Sequence, residues 1–196
     1  MLIGITGLIG SGKSEAARIF SKYGAFVISA DRIGKDVVDN NKTILNRLIR
    51  AFGTNIITKT GRLRRKKLGE LAFSSEVNKI KLNKIVHPAL LRKLSAQVND
   101  ARNKYDVIVI DAALLINWGW HKKVDLTILI HASYRKRIHR LMQNGYTEVE
   151  ALQRTKSQFK FDELSKDADI TLLNNKTPGD LEKKIRNIID RFPEIG

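Results

Sequence analysis

Gly7-Leu8-Ile9-Gly10-Ser11-Gly12-Lys13-Ser14 decides the fold. Small residues at its turning points let the backbone curl tightly enough to aim several N–H groups at one anion. The spacing G-x-x-x-x-G-K-S is that of a loop cradling the phosphates of a nucleoside triphosphate. With Gly at roughly 7% of residues, a chance match in such a chain is on the order of one in a hundred. The flanks agree. Leu2-Ile3-Gly4-Ile5-Thr6 is short, apolar and partly β-branched, as a buried strand is. Ala16, Ala17, Ile19, Phe20 and Tyr23 then recur at helical spacing. The order is strand, glycine loop, helix. The helix start offers free N–H groups and the positive end of its dipole. Lys13 is placed to reach the β- and γ-phosphates, and the Ser14 hydroxyl to bind Mg²⁺. Gly10, Ser11, Gly12 and Glu15 complete the expected ATP-binding stretch.

Outward from the loop, Ala25-Phe26-Val27-Ile28-Ser29 is a second strand, followed by Ala30-Asp31-Arg32. A strand, helix and strand with short links imply parallel pairing through a right-handed crossover. Polar residues at the carboxyl ends of such strands line the ligand crevice, which puts Asp31 on the same edge as the loop. Asp31 has two compatible readings, a cap for the next helix and a general base. Arg32 follows it directly and is read either as a surface charge or as a phosphate contact.

From Arg32 to Lys104 the pattern is helical. Val37, Val38, Ile44, Leu45, Leu48 and Ile49 predict helices separated near Asn40-Asn41, and Thr58-Lys59-Thr60-Gly61 predicts a turn. Further helices are expected around Leu68 to Ala72, Ile80 to Val86 and Leu90 to Val98, with a boundary at His87 because Pro88 disfavours helical geometry before it. His87 thus reads first as a residue fixing a helix boundary. Tyr105 to Asp111 is the strongest strand and ends in a carboxylate, the pattern of a residue that helps hold Mg²⁺. Asp125 to Ile130 and Ile170 to Leu173 are the remaining strands. Residues 133–143 form a basic helix, Thr147 to Phe159 another with Thr147 and Glu150 as a capping box, and Thr177-Pro178 starts the last. The expected fold is α/β: a three-layer α/β/α arrangement around a five-stranded parallel sheet, of the phosphate-loop nucleoside-triphosphate hydrolase, adenylate-kinase-like type.

The 196 residues suit a single domain, 1–196. Its core is expected at 1–60, 102–135 and 161–196. No apolar run is long enough to cross a bilayer, and the first strand leads straight into the loop, so neither a membrane span nor a signal peptide is expected. Cysteine is absent, which excludes disulfides, thiolate metal sites and a thiol nucleophile, and suits the cytoplasm. The net charge of +16 comes from 36 basic and 20 acidic residues, densest in Arg62-Leu63-Arg64-Arg65-Lys66-Lys67. Such charge suits a phosphate-bearing partner or a solvated basic surface. Nucleic acid is not expected as the main partner, because no nucleic-acid motif is present and aromatics for stacking bases are few. No His, Asp and Glu spacing suggests a protein-only zinc site.

Taken together, Ile5-Thr6-Gly7 through Ser14, Ser29-Ala30-Asp31, His87-Pro88, Asp111-Ala112-Ala113-Leu114-Leu115, and Ala168-Asp169 with Asn174 resemble the dephospho-coenzyme A kinase family. The likeness runs from residue 1 to about 190. It implies transfer of a phosphoryl group from ATP, with Mg²⁺, to the ribose 3′-hydroxyl of dephospho-coenzyme A, the last step of coenzyme A synthesis. It also implies that Asp31 is the base, that a helical insertion at 61–101 helps hold the acceptor, and that helices at 136–160 close as a lid over ATP. Thr6, Asp31, Arg32, His87, Asp111 and Leu114 would then face the acceptor, and Asn174 the adenine side. A monomer without membrane or nucleic-acid partners is expected.

The chain departs from the family pattern at several positions. Leu8 stands where the family has Gly. Ala113 and Asn117 stand where it has Pro and Glu. Gln143 or Asn144 stands where a lid arginine precedes the Asn-Gly turn. Arg137 and Arg140, three apart on one predicted helix, share a face, and one of them, Arg140 first, is expected to meet the phosphates. Two other readings remain. One is another phosphate-loop kinase with a nucleotide, nucleoside or sugar-acid acceptor. The other is a nucleic-acid-binding ATPase or a GTP switch, although Asn175-Lys176-Thr177-Pro178 lacks the aspartate of a guanine-reading motif.

Overall fold

The computed structural model describes residues 1–156 and 161–191. In chain order the elements are β1 (Leu2–Thr6), α1 (Lys13–Lys22), β2 (Phe26–Ser29), α2 (Ala30–Asn40), α3 (Lys42–Phe52), α4 (Arg65–Ala72), α5 (Glu76–Arg102), β3 (Ile108–Asp111), β4 (Leu126–His131), α6 (Tyr134–Gln143), α7 (Glu148–Lys156), α8 (Phe161–Ser165), β5 (Ile170–Leu173) and α9 (Pro178–Ile189). The strands form one sheet in the order β2-β3-β1-β4-β5. Every pairing is parallel.

Two compact units emerge: Met1–Ser29 with the chain from Ala101 onward, and Ala30–Asp100. In the first, β1 is central and all five of its residues are buried. Ile3 and Ile5 share a face with Val109, Ile128, Ile130 and Leu172, and this face packs on Ala16, Ile19 and Phe20 of α1 and on Leu181, Ile185 and Ile188 of α9. Leu129 points the other way, into a smaller cluster with Leu8, Ile116 and Leu164. Each such side chain contributes about 1.5–3 kcal/mol on burial. The helix starts follow their caps. The Thr177 hydroxyl accepts from Asp180 N–H at 3.3 Å ahead of Pro178. Thr147 and Glu150 form a reciprocal box: Thr147 N–H donates to Glu150 Oε2 at 2.9 Å, and Glu150 N–H donates to Thr147 Oγ1 at 3.3 Å. The expected end of that helix, at 157–159, lies outside the described residues, as does residue 160 of the expected lid.

In the second unit α2 meets α3, and α3 meets both α4 and the single turn at Thr54–Ile56. Asn41 caps α3, its Oδ1 accepting from Ile44 N–H at 3.1 Å. The expected turn is present, with Gly61 N–H on Thr58 O at 2.9 Å. This unit begins at Ala30, so α2 and α3, expected in the core at 1–60, belong with the helices of the 61–101 segment.

The helix boundary expected at His87, before Pro88, does not form. No boundary falls there: α5 runs unbroken from Glu76 to Arg102 with Pro88 inside it. A proline in a helix loses one hydrogen bond and crowds the preceding turn, at about 3 kcal/mol. Val86, Leu90, Leu94 and Val98 are buried along the same helix. At about 1.5–3 kcal/mol each, their burial outweighs that cost. The short α8 carries no periodic signal of its own length and was not expected.

Candidate active site

The glycine loop leaves the carboxyl end of β1 and ends where α1 begins at Lys13, one residue after Gly12. Gly12 has φ +96°, a left-handed conformation that side chains rarely adopt. A Cβ there would also lie 2.3 Å from Asn174 Nδ2. The Lys13, Ser14 and Glu15 amides are in the first turn of α1, where helix geometry supplies no carbonyl partner. Lys13 is half-buried and Ser14 exposed. The Glu15 carboxylate is turned outward onto Arg18, at 2.7 and 3.0 Å. That ion pair holds it below the usual carboxylate range, so Glu15 offers a phosphate its amide and not its side chain.

The loop's carbonyls are held from behind. Arg140 donates through Nη1 to Ser11 O at 3.1 Å and Gly10 O at 3.3 Å, and through Nη2 to Asn174 O at 2.9 Å. Asn174 Nδ2 donates to the same Ser11 carbonyl at 2.9 Å, and Asn174 N–H donates to His131 O at 2.7 Å. Asn175 Oδ1 accepts from Ser133 N–H at 2.8 Å, tying the end of β5 to the start of α6. Arg140 was expected on the phosphates and Asn174 beside the adenine. In this structure both direct their side chains at main-chain carbonyls. Sequence could not show this, because the partners are main-chain atoms 130 and 163 positions away.

Arg137 is different. It is 7% exposed, and its Nε and Nη1 are buried without a hydrogen-bond partner among the described residues. Its main chain lies against the loop: a Cβ on Gly10 would be 2.7 Å from the Arg137 carbonyl oxygen. Its guanidinium carbon is 5.7 Å from the Tyr134 ring. Burial lowers the Arg137 pKa. Burial, then the Arg137 charge, lowers that of His131.

Asp111 ends β3, paired in register with Ile5 of β1 and Ser29 of β2. It therefore stands at the carboxyl edge of the sheet, where parallel sheets bind ligands. Thr6 was expected to touch an acceptor. It is fully buried, and its hydroxyl donates to Ala113 O at 3.2 Å. It supports the turn after Asp111 instead, because the last residue of a central strand is covered by that turn. Leu114 is half-buried in the turn, and its carbonyl accepts from Trp118 N–H at 3.0 Å. Asp111 and Ser14 suit Mg²⁺, a hard cation that takes few protein oxygens and completes its shell with phosphate and water.

Asp31 is exposed in the first turn of α2, which starts at Ala30 directly after β2. Being inside the helix, it does not serve as the N-cap. Arg32 beside it is exposed. His87 is half-buried within α5, and burial lowers its pKa, which keeps it neutral at pH 7. Two contacts set the alignment of α2 with α5: Lys93 pairs with Asp36, and a Cβ on Gly34 would lie 3.2 Å from Leu90 Cδ1. One turn back along both helices from Gly34 and Leu90 are Asp31 and His87. Further along, Asp36, Asn40, Arg92 and Lys93 line a pocket of about 400 Å³.

The model of the dephospho-CoA kinase family matches residues 1–180. The chain belongs to the dephospho-CoA kinase family. It is 32% identical over 197 residues to dephospho-CoA kinase from Bacillus licheniformis, covering 100% of this chain and 98% of the relative. It is 35% identical over 189 residues to dephospho-CoA kinase from Corynebacterium glutamicum, covering 95% and 94%. Among solved structures it resembles dephospho-CoA kinase from Campylobacter jejuni, with TM-score 0.70, 25% identity, and 98% and 97% of the two chains covered. A phosphate-loop kinase fold is thus established for a member of the dephospho-CoA kinase family.

Proposed function

We propose that this protein transfers the γ-phosphoryl group of ATP to the ribose 3′-hydroxyl of dephospho-CoA, giving coenzyme A and ADP. The observation that carries the reading is the family match along 1–180 combined with a formed phosphate loop at the edge where β3 presents Asp111. The loop amides and Lys13 hold the β- and γ-phosphates. Ser14 and Asp111 are the residues that would hold Mg²⁺, which offsets phosphate charge when bound with ATP. Asp31 accepts the proton of the attacking hydroxyl. The new bond joins the acceptor oxygen to phosphorus, the bond to the β–γ bridging oxygen breaks, and ADP leaves with that electron pair. A base of this kind contributes about 10²–10⁴-fold. Arg32, His87 and Leu114 are assigned to the acceptor side. The pocket at Arg92 and Lys93, in the same unit as Asp31, adds cationic groups suited to an acceptor that carries a pyrophosphate. The 61–101 helices serve the acceptor, and 136–160 serve as the lid. We assign the active form to a monomer in the cytoplasm.

The test is ADP release measured over a panel of acceptors: dephospho-CoA, nucleoside monophosphates and single-stranded DNA. Turnover with dephospho-CoA at least tenfold above the others is expected. Equal or faster turnover with a nucleoside monophosphate would replace the acceptor, and stimulation by DNA alone would replace the reaction class.

A further inference from the structure

A buried guanidinium with unpartnered nitrogens is costly to maintain, because a desolvated charge needs an opposite charge or full hydrogen bonding. Arg137 is in that state: 7% exposed, with Nε and Nη1 buried and unpartnered among the described residues. Among the described residues burial lowers its pKa and Tyr134 raises it, and no carboxylate acts on it. Its main chain is packed on Gly10 of the phosphate loop. The side chain turns back along α6, over the Tyr134 ring and toward His131 at the carboxyl end of β4. That end lies beyond the Thr6–Leu129 pairing, on the sheet edge from which the phosphate loop springs. The guanidinium therefore stands at the ligand edge with two donors in reserve. Arg140, three residues on, has both terminal nitrogens on main-chain carbonyls.

We propose that the two arginines of α6 divide the work, Arg137 binding the γ-phosphoryl group and Arg140, with Asn174, holding the phosphate loop in shape. Arg137 is then a catalytic residue, touching the group in transfer. Its planar fork offsets the charge that spreads over the phosphoryl oxygens as the bridging bond lengthens. Arg140 is a positioning residue: it fixes the Gly10 and Ser11 carbonyls outward, which leaves the loop's amides facing inward. The assignment supplies the cation that Gln143 and Asn144 lack. It rests on the kinase reading but not on the identity of the acceptor.

The experiment compares ADP with a non-hydrolysable β,γ-imido analogue of ATP, by titration calorimetry on the full chain with Mg²⁺ and no acceptor. For Arg137→Gln, analogue affinity is expected to fall at least tenfold while ADP affinity stays within twofold. Arg137→Lys recovers part of the loss, since it keeps charge without the fork. For Arg140→Gln, both nucleotides weaken together. Arg135→Gln, an exposed residue of the same helix, changes neither. Arg137→Gln is also expected to melt no lower than the parent, because it removes an unpaired buried charge. If it melts markedly lower, or weakens ADP and the analogue alike, Arg137 is structural and the proposal fails. The proposal fails equally if Arg140→Gln, and not Arg137→Gln, abolishes the preference for the analogue. Because no acceptor is present, failure of the dephospho-CoA assignment leaves this comparison intact.

Discussion

The phosphate loop and the Ala30–Asp100 unit are held by different kinds of tie. Around the phosphate loop the ties are buried or partly buried and reach main-chain atoms: Arg140 and Asn174 on the Ser11 carbonyl, Thr6 on Ala113, Asn174 on His131. In the Ala30–Asp100 unit the charged ties are at the surface, as in Arg65 with Asp39 and Lys93 with Asp36. Surface ion pairs contribute about 0–1 kcal/mol and weaken with salt. Buried hydrogen bonds, by contrast, leave an expensive orphan when broken. A triphosphate bound by a fixed ring of amides needs the first kind of support. The Ala30–Asp100 unit, which carries the exposed Asp31 and a pocket, uses the second.

The largest expected break of this contrast is Lys13→Ala. Removing the cation from the loop should lower turnover roughly 10²–10³-fold or more while circular dichroism and melting stay near the parent. Near-normal turnover in a folded variant would take the phosphate loop out of the mechanism. Asp31→Asn comes next. It keeps the size of a residue already exposed in the first turn of α2, and turnover should fall about 10²-fold with ATP affinity little changed. Weakened ATP binding with unchanged turnover would make Asp31 a structural or metal-binding group.

Glycine substitutions sharpen the comparison between the units. Gly12 and Gly61 both have positive φ, +96° and +76°, but a Cβ on Gly12 meets Asn174 Nδ2 at 2.3 Å whereas Gly61 faces open space. Gly61→Ala should cost about 1–2 kcal/mol, the backbone penalty alone. Gly12→Ala should cost more, and should weaken ATP as well, because the displaced Asn174 releases Ser11. Equal costs in chemical denaturation would mean that the brace carries no weight. Pro88→Ala probes the other unit in the opposite direction. Restoring an amide in the middle of α5 should stabilise the protein, by at most about 3 kcal/mol. Destabilisation would show that the proline shapes the helix usefully.

The smallest expected effect is in pH dependence. The folded pKa values of His131 and His87 lie below the unfolded 6.5, chiefly through burial. Above that pH both residues are neutral in either state. As pH falls below 6.5 the unfolded chain takes up protons first, so stability declines until the folded values are reached. Denaturation at pH 7.5 and 5.5 measures this, and His131→Asn should reduce the slope. Arg137→Gln removes the cation beside His131 and should raise its pKa in an NMR titration. An unmoved His131 resonance would separate the two side chains.

Much of this was legible in the sequence because it depends on neighbours along the chain. The strand–loop–helix start, the Thr147–Glu150 box, the Thr177-Pro178 helix entry and the helix break near Asn40-Asn41 are all set within a few residues. Local sterics and capping chemistry act at that range, and the five strands follow from apolar runs that only a buried parallel sheet accommodates. What the chain far away decided was not legible. Pro88 stays helical because burial along α5 exceeds a local penalty that a sequence reader weighs alone. Thr6 is covered by the turn after Asp111, and Asp31 lies inside a helix that starts without a gap. Arg137 and Arg140 are the same residue type on one face of one helix, indistinguishable by pattern. Only the packing of α6 against the loop places one guanidinium on carbonyls and leaves the other buried and unpartnered among the described residues, because hydrogen-bond satisfaction is settled by atoms that tertiary structure brings together.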